Sequence, residues 1–95
     1  MNVISYRKIR EFLAAHPDAD TSLNAWYKAA RRANWQNLVE VKQVYTHADL
    51  VGRYTVFNIK GNDYRLITRI VYRSQTIFVV GVLTHAEYDK DKWKK

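Results

Sequence analysis

The stretch Val56-Phe57-Asn58-Ile59-Lys60-Gly61-Asn62-Asp63-Tyr64-Arg65-Leu66-Ile67-Thr68-Arg69-Ile70-Val71-Tyr72 decides the fold. Apolar, β-branched and aromatic residues fill two runs, and Gly61-Asn62 separates them. Branched and aromatic side chains pack well on a pleated surface, so both runs favour strands. Glycine enters the left-handed region at no steric cost, and Gly61-Asn62 therefore reads as a two-residue hairpin turn. The two strands are predicted over residues 53–59 and 63–72. Side chains alternate between the faces of a strand. Tyr64, Leu66, Thr68, Ile70 and Tyr72 share the face expected to pack under helices. Arg65, Ile67, Arg69, Val71 and Arg73 share the other.

Working outward, Ser74-Gln75 marks a weaker turn, and residues 76–83 form a third strand. That run is apolar almost throughout, as expected of a strand covered on much of both faces. Upstream the period changes. Residues 1–4 are short and apolar and suit an edge strand. Ser5 is predicted to cap a helix reaching about residue 15, with Ile9, Phe12 and Leu13 as its apolar stripe. Pro17 ends this helix, because the residue before a proline is pushed out of the α region. Asp18 and Asp20 then place negative charge at the start of a second helix. Its Leu23, Trp26, Tyr27 and Ala30 follow the spacing of a buried face, and Lys28, Arg31 and Arg32 suit its C-terminal end. A shorter helix is predicted over residues 38–44, packing Leu38 and Val41. The pattern is α+β: a small, mainly antiparallel sheet with two to three helices packed on one face. The chain has 95 residues, no internal repeat and no Pro/Gly/Ser-rich linker. A single domain spanning residues 1–95 is expected.

Lys and Arg number 16 against 9 Asp and Glu, a formal charge of +7. Such an excess points to a polyanionic partner: nucleic acid, an acidic protein or a membrane surface. There is no cysteine, which removes disulfides, thiol catalysis and thiolate zinc sites. No apolar run is long enough to span a membrane, and residues 1–10 are too polar for a signal peptide. A cytoplasmic location is expected. No phosphate-binding glycine loop and no nucleophile elbow is present. The three histidines form no His-x-x-x-His pair, so no metal or other cofactor is expected.

The arginine row is the most informative feature. Arg65, Arg69 and Arg73 repel one another unless an acidic group neutralises them. The planar guanidinium fork suits phosphate oxygens, and Lys60 at the end of the preceding strand extends the same surface. A solvated strand face would also carry arginines, so periodicity alone leaves both readings open. Among the histidines, His16 sits at a helix end before Pro17, and His47 lies in a polar loop. His85 differs. It falls in Thr84-His85-Ala86-Glu87-Tyr88-Asp89-Lys90, directly after the third strand. This segment places a group titrating near neutrality beside anions and a cation, as general acid–base chemistry requires. A capped turn with exposed polar groups is the plainer alternative. The tail Asp91-Lys92-Trp93-Lys94-Lys95 is basic with one aromatic, and suits either RNA contact or a frayed end.

The residues 56–67 quoted above, followed some twenty residues later by Thr84-His85-Ala86-Glu87-Tyr88-Asp89-Lys90, resemble the paired signature of HigB-type toxins in the RelE superfamily. Ala25-Trp26-Tyr27 and Asn34-Trp35 resemble that family's helical half. The resemblance covers nearly the whole chain. It implies a RelE-like fold and the activity of a ribosome-dependent mRNA endonuclease (an mRNA interferase). It also implies inhibition by a HigA-like helix-turn-helix antitoxin, with a toxin–antitoxin heterotetramer as the expected assembly.

The resemblance further implies metal-free chemistry. The ribose 2′-OH of the substrate attacks the adjacent phosphate, giving a 2′,3′-cyclic phosphate and a free 5′-OH. That reaction needs a group that removes the 2′-OH proton, cations at the phosphorane-like transition state, and an acid for the leaving oxygen. The motifs carry over His85, Arg65, Tyr88, Asp89 and Lys90 as catalytic candidates. Lys60, Asn62, Arg69 and Arg73 are the RNA- and phosphate-binding candidates. His85 leads for proton transfer, and Tyr88 is either a second proton-transfer group or a base-stacking platform. Asp89 is placed to orient His85 or Lys90, Glu87 to cap, and Tyr64 to join the core. Which group is acid and which is base stays open. Two other classes compete: a non-catalytic basic RNA- or ribosome-binding module, and a domain whose basic face meets an acidic protein.

Overall fold

A computed structural model describes residues 1–90 and 93. In chain order it contains β1 (Asn2–Ile4), α1 (Tyr6–Ala15), a single 3₁₀ turn (Pro17–Ala19), α2 (Asp20–Arg32) and α3 (Leu38–Val44). There follow β2 (Asp49–Val51), β3 (Tyr54–Ile59), β4 (Tyr64–Val71), β5 (Thr76–Thr84) and α4 (His85–Asp89). The strands form one five-stranded sheet in the order β1-β5-β4-β3-β2. Every pairing is antiparallel except β1 with β5. The α+β expectation therefore holds. The edge strand β2 went unseen in the sequence, because its three residues are too few to show a period.

The hairpin forms where the alternation places it. Phe57 faces Leu66 and Ile59 faces Tyr64 across β3 and β4. The Asp63 N–H donates to the Lys60 carbonyl, so Gly61 and Asn62 are the central turn residues. Both Lys60 and Gly61 adopt positive φ, at 52° and 64°. Only glycine takes that conformation freely. The β4–β5 turn is shifted from the expected Ser74-Gln75. The Gln75 N–H donates to the Tyr72 carbonyl, which centres the turn on Arg73-Ser74.

Helices α1, α2 and α3 share one face of the sheet. Ile9, Leu23, Trp26, Ala30 and Val41 meet Phe57, Leu66, Ile77 and Val79 in one core. Trp26 sets its ring edge against Phe57 at 5.4 Å. Burying an aromatic side chain of this kind contributes about 2–3 kcal/mol. Ser5 occupies the cap position of α1 but makes no side-chain cap bond, since its backbone is left-handed at φ 71°. Asn37 does cap α3, its side chain accepting from the Glu40 N–H.

The helix layer is tied to the hairpin by a polar cluster. Tyr64 Oη donates to Asp18 Oδ2 at 2.6 Å, and Lys60 Nζ meets the same oxygen at 2.9 Å. Asp18 is held below its ordinary 3.8 by the Tyr64 bond first and the Lys60 bond second. The same contact pushes the Tyr64 phenol up to about 12. Tyr64 is thus a core residue with one polar tether, in agreement with its placement on the helix-facing side.

The opposite face differs from a simple solvated surface. Val56 and Ile67 pair across β3 and β4, and alternation aims both away from the helices. They are nevertheless only 2% and 1% exposed. Trp93 packs on Tyr54, which shares that face with Val56, with ring centres 5.7 Å apart. Trp93 therefore covers part of the outer face. β5 also carries one extra residue there: Ile67 pairs with Gly81 but Thr68 with Val79, leaving Val80 as a bulge. Bulges bend a strand and re-aim its groups.

Candidate active site

The site grows from the junction of β5 with α4. Tyr64 pairs with Thr84, and the His85 N–H donates to the Asp63 carbonyl. These contacts pin the start of α4 against the β3–β4 turn. α4 opens with a capping box: the Glu87 N–H donates to Thr84 Oγ1 at 3.2 Å, and the Thr84 N–H donates to Glu87 Oε1 at 2.9 Å. Two orphan backbone donors are satisfied at once. The Thr84 N–H is the main reason the Glu87 carboxyl lies below its ordinary range. Glu87 is a cap, as its place in the motif suggested.

One turn of α4 then presents His85 and Tyr88 toward Arg65, with Asp89 behind His85. Arg65 Nη2 stands 3.3 Å from His85 Nδ1. His85 Nε2 stands 3.1 Å from Asp89 Oδ2, one helical turn on. A guanidinium only donates, so this contact engages the Nδ1 lone pair, while Nε2 faces the carboxylate. Arg65 is further braced by the Asn62 and Tyr64 carbonyls, at 3.0 and 3.2 Å from Nη1. Its guanidinium lies over the Tyr88 ring, 5.5 Å from the centre. Tyr88 in turn stacks on Trp93 at 5.1 Å, and Trp93 Nε1 donates to the Tyr88 carbonyl. The Tyr88 ring thereby contacts both a cation and an indole.

The structure brings together Arg65, His85, Tyr88, Asp89 and Asn62, whose side chain also accepts from Asn58. Lys90 is exposed and caps the end of α4 through its backbone. Arg69 lies on the same strand face as Arg65, four residues along β4, and is exposed opposite Phe78. Two candidates lie apart from the cluster. Lys60 turns toward the helix layer and is engaged by Asp18. Arg73 sits in the β4–β5 turn at the other end of the strand. Of the basic tail, only Trp93 lies within the described residues.

Sequence reasoning passed over Tyr54, Arg53, Lys8 and Phe78, which border the same outer face. Strand parity places Tyr54 beside Val56 and was legible. The partnership of Phe78 with Arg69 depends on the bulged register. The other histidines behave as their positions suggest: His47 is exposed in a turn, while the His16 ring stacks on Phe12 at a helix end.

Comparison with known proteins gives this geometry a context. Residues 19–91 match the HigB toxin family, described as the RelE-like toxic component of a toxin-antitoxin system. The chain is 25% identical over 92 residues to the mRNA interferase toxin HigB of Escherichia coli and to the mRNA interferase HigB of Shigella flexneri. Each alignment covers 94% of this chain and 88% of the relative. A second Escherichia coli mRNA interferase HigB is 25% identical over 93 residues, covering 95% of this chain and 90% of its own. With the family matched over most of its length, this chain belongs to the HigB family of RelE-like toxins, the toxic component of a toxin–antitoxin system.

Proposed function

We propose that the chain is a ribosome-dependent mRNA endoribonuclease that inhibits translation by metal-free 2′-OH attack on the adjacent phosphate. The observation that carries this reading is the convergence of Arg65, His85 and Asp89 within hydrogen-bond reach at one end of the sheet. Relatives that align over nearly the whole chain are named mRNA interferases.

Each group has a defined task in this reading. Arg65 moves its donors from His85 to the phosphate oxygens and stabilises the charge that grows there. That movement frees the Nδ1 lone pair of His85, which takes the proton of the 2′-OH. The 2′-oxygen bonds to phosphorus as the bond to the 5′-oxygen breaks. Asp89, facing Nε2–H, stabilises the imidazolium that results. A proton must reach the 5′-oxygen, so none is consumed overall, and Tyr88 and Lys90 are the donors that α4 offers. Arg69 and Asn62 hold flanking RNA, while Lys60 and Arg73 contribute charge to docking. A HigA-like helix-turn-helix antitoxin would silence the toxin in a heterotetramer, in the cytoplasm, with residues 1–95 acting as one domain.

Primer extension on a reporter mRNA tests this, in a reconstituted translation reaction with and without ribosomes. The wild type should cut only when ribosomes translate, and His85→Ala should abolish the cuts. Ribosome-dependent cuts that survive His85→Ala would move proton transfer to Tyr88. No cuts from folded protein would sink the enzyme reading and leave a non-catalytic RNA-binding module.

A further inference from the structure

A groove of about 350 Å³ opens on the outer sheet face, beyond the cluster around Arg65. Lys8, Arg53, Tyr54, Arg69 and Phe78 line it, and no acidic side chain is among the described residues that do so. Its composition differs from that of an ordinary strand surface. Phe78 is 40% exposed and stands directly opposite Arg69 across β4 and β5. Arg53 lies over the Tyr54 ring, 5.4 Å from its centre. Lys8 Nζ is held at 3.2 Å by the carbonyl of Val80, the bulged residue. The bulge thus fixes a third cation at the groove.

The groove is continuous with the candidate active site. Arg65 lies over Tyr88, Tyr88 stacks on Trp93, Trp93 meets Tyr54, and Tyr54 lies under Arg53. Cations and rings therefore run unbroken across the sheet. Arg65 and Arg69 are four residues apart on one strand face, about 13 Å, beyond the reach of one nucleotide. Aromatic faces beside cations that track a backbone are the physical requirement for holding single-stranded nucleic acid. A helical acidic partner would need the cations but would leave the rings without stacking partners.

We infer that the Arg53–Tyr54–Arg69–Phe78 groove is a second nucleotide subsite, which stacks a base of single-stranded RNA outside the scissile step. This rests on the endoribonuclease reading for the identity of the polymer. Its expected worth is roughly tenfold in affinity for the extra nucleotides it engages. The subsite accounts for an exposed aromatic that the helix-side core does not use.

Fluorescence anisotropy with 2′-O-methyl RNA, which cannot be cleaved, tests the subsite apart from catalysis. The probes are a trinucleotide, a hexanucleotide, and a duplex of the hexanucleotide. The wild type should bind the single-stranded hexanucleotide roughly tenfold tighter than the trinucleotide. Phe78→Ala and Arg53→Ala, both at exposed positions, should each erase most of that gain. A length gain that persists in both variants overturns the subsite, as does a wild type that binds both lengths equally or neither. Equal dependence of the duplex on Phe78 would overturn base stacking. Reporter cleavage by wild type judges the endoribonuclease reading separately. A cleaving enzyme with no length gain loses only the subsite, and a non-cleaving chain that shows the gain loses only the nuclease.

Discussion

Arg65 and His85 are twenty residues apart in sequence, yet Nη2 of one stands 3.3 Å from Nδ1 of the other. The contact occupies the lone pair that a general base needs. Asp89 meanwhile faces the opposite ring nitrogen. In this arrangement the imidazole is oriented at both ends, and under the proposed mechanism it accepts a proton only when Arg65 is drawn elsewhere. A substrate phosphate is the natural competitor, because it binds the guanidinium fork in two places.

Arg65→Lys should be nearly as damaging as Arg65→Ala. A lysine carries charge but no fork, so it cannot hold the Asn62 and Tyr64 carbonyls while reaching His85. Single-turnover cleavage of a ribosome-bound reporter should fall by about 10²–10³-fold. A lysine variant within a few-fold of wild type would show that charge alone suffices.

Asp89→Asn should slow cleavage by about 10–100-fold, the worth of a hydrogen bond to a charged group. The loss should appear in kcat with KM unchanged, because Asp89 acts through His85. The residue is exposed, so the melting temperature should stay within a degree or so of wild type. A loss confined to KM would instead make Asp89 a binding residue.

Thr84→Ala removes the side-chain half of the capping box that opens α4. The expected cost is about 1 kcal/mol, concentrated in that short helix. Amide exchange over residues 85–89 should quicken well before global melting shifts, and cleavage should drop with it. Thr84→Ser should restore both. Unchanged exchange over α4 would mean that strand pairing alone holds the helix in place.

The Asp18–Tyr64–Lys60 cluster should give the fold an acid-sensitive component. Asp18 is depressed below its ordinary 3.8, chiefly by the Tyr64 bond. Its stabilisation is therefore full above that value and is lost as pH falls through the depressed one. Asp18→Asn should melt lower than wild type at neutral pH, with the gap closing below about pH 4. On the alkaline side the Tyr64 phenol is raised from 10.0 to about 12. Its contribution is present below pH 10 and fades as pH rises toward the higher value. Thermal melts followed by circular dichroism check this. An equal gap at acid and neutral pH would show that Asp18 acts without its charge.

Much of the fold was legible because it rests on local rules. Leu23, Trp26 and Ala30 recur at helical spacing, and all three are buried on the face so marked. Gly61-Asn62 turns the chain as its conformational freedom predicts. Errors arose where a local signal met a tertiary demand. Ser5 has the chemistry of a cap, but passage from β1 into α1 puts it in left-handed backbone and takes its hydroxyl out of reach. Lys60 carries its charge at the hairpin end as read, and only the tertiary structure shows that Asp18 engages it.

Residue types and their order by themselves determined the α+β class, the hairpin, the basic excess and the segment around His85. These follow from periodicity, turn chemistry and charge, which act between neighbours in the chain. Only the tertiary structure decided that Arg65 meets His85, that Trp93 returns to Tyr54, and that Arg69 faces Phe78. Strand register sets those meetings, and one extra residue at Val80 shifts the register of half a strand. A bulge leaves almost no trace in a sequence, because it changes which residues are opposite without changing what they are.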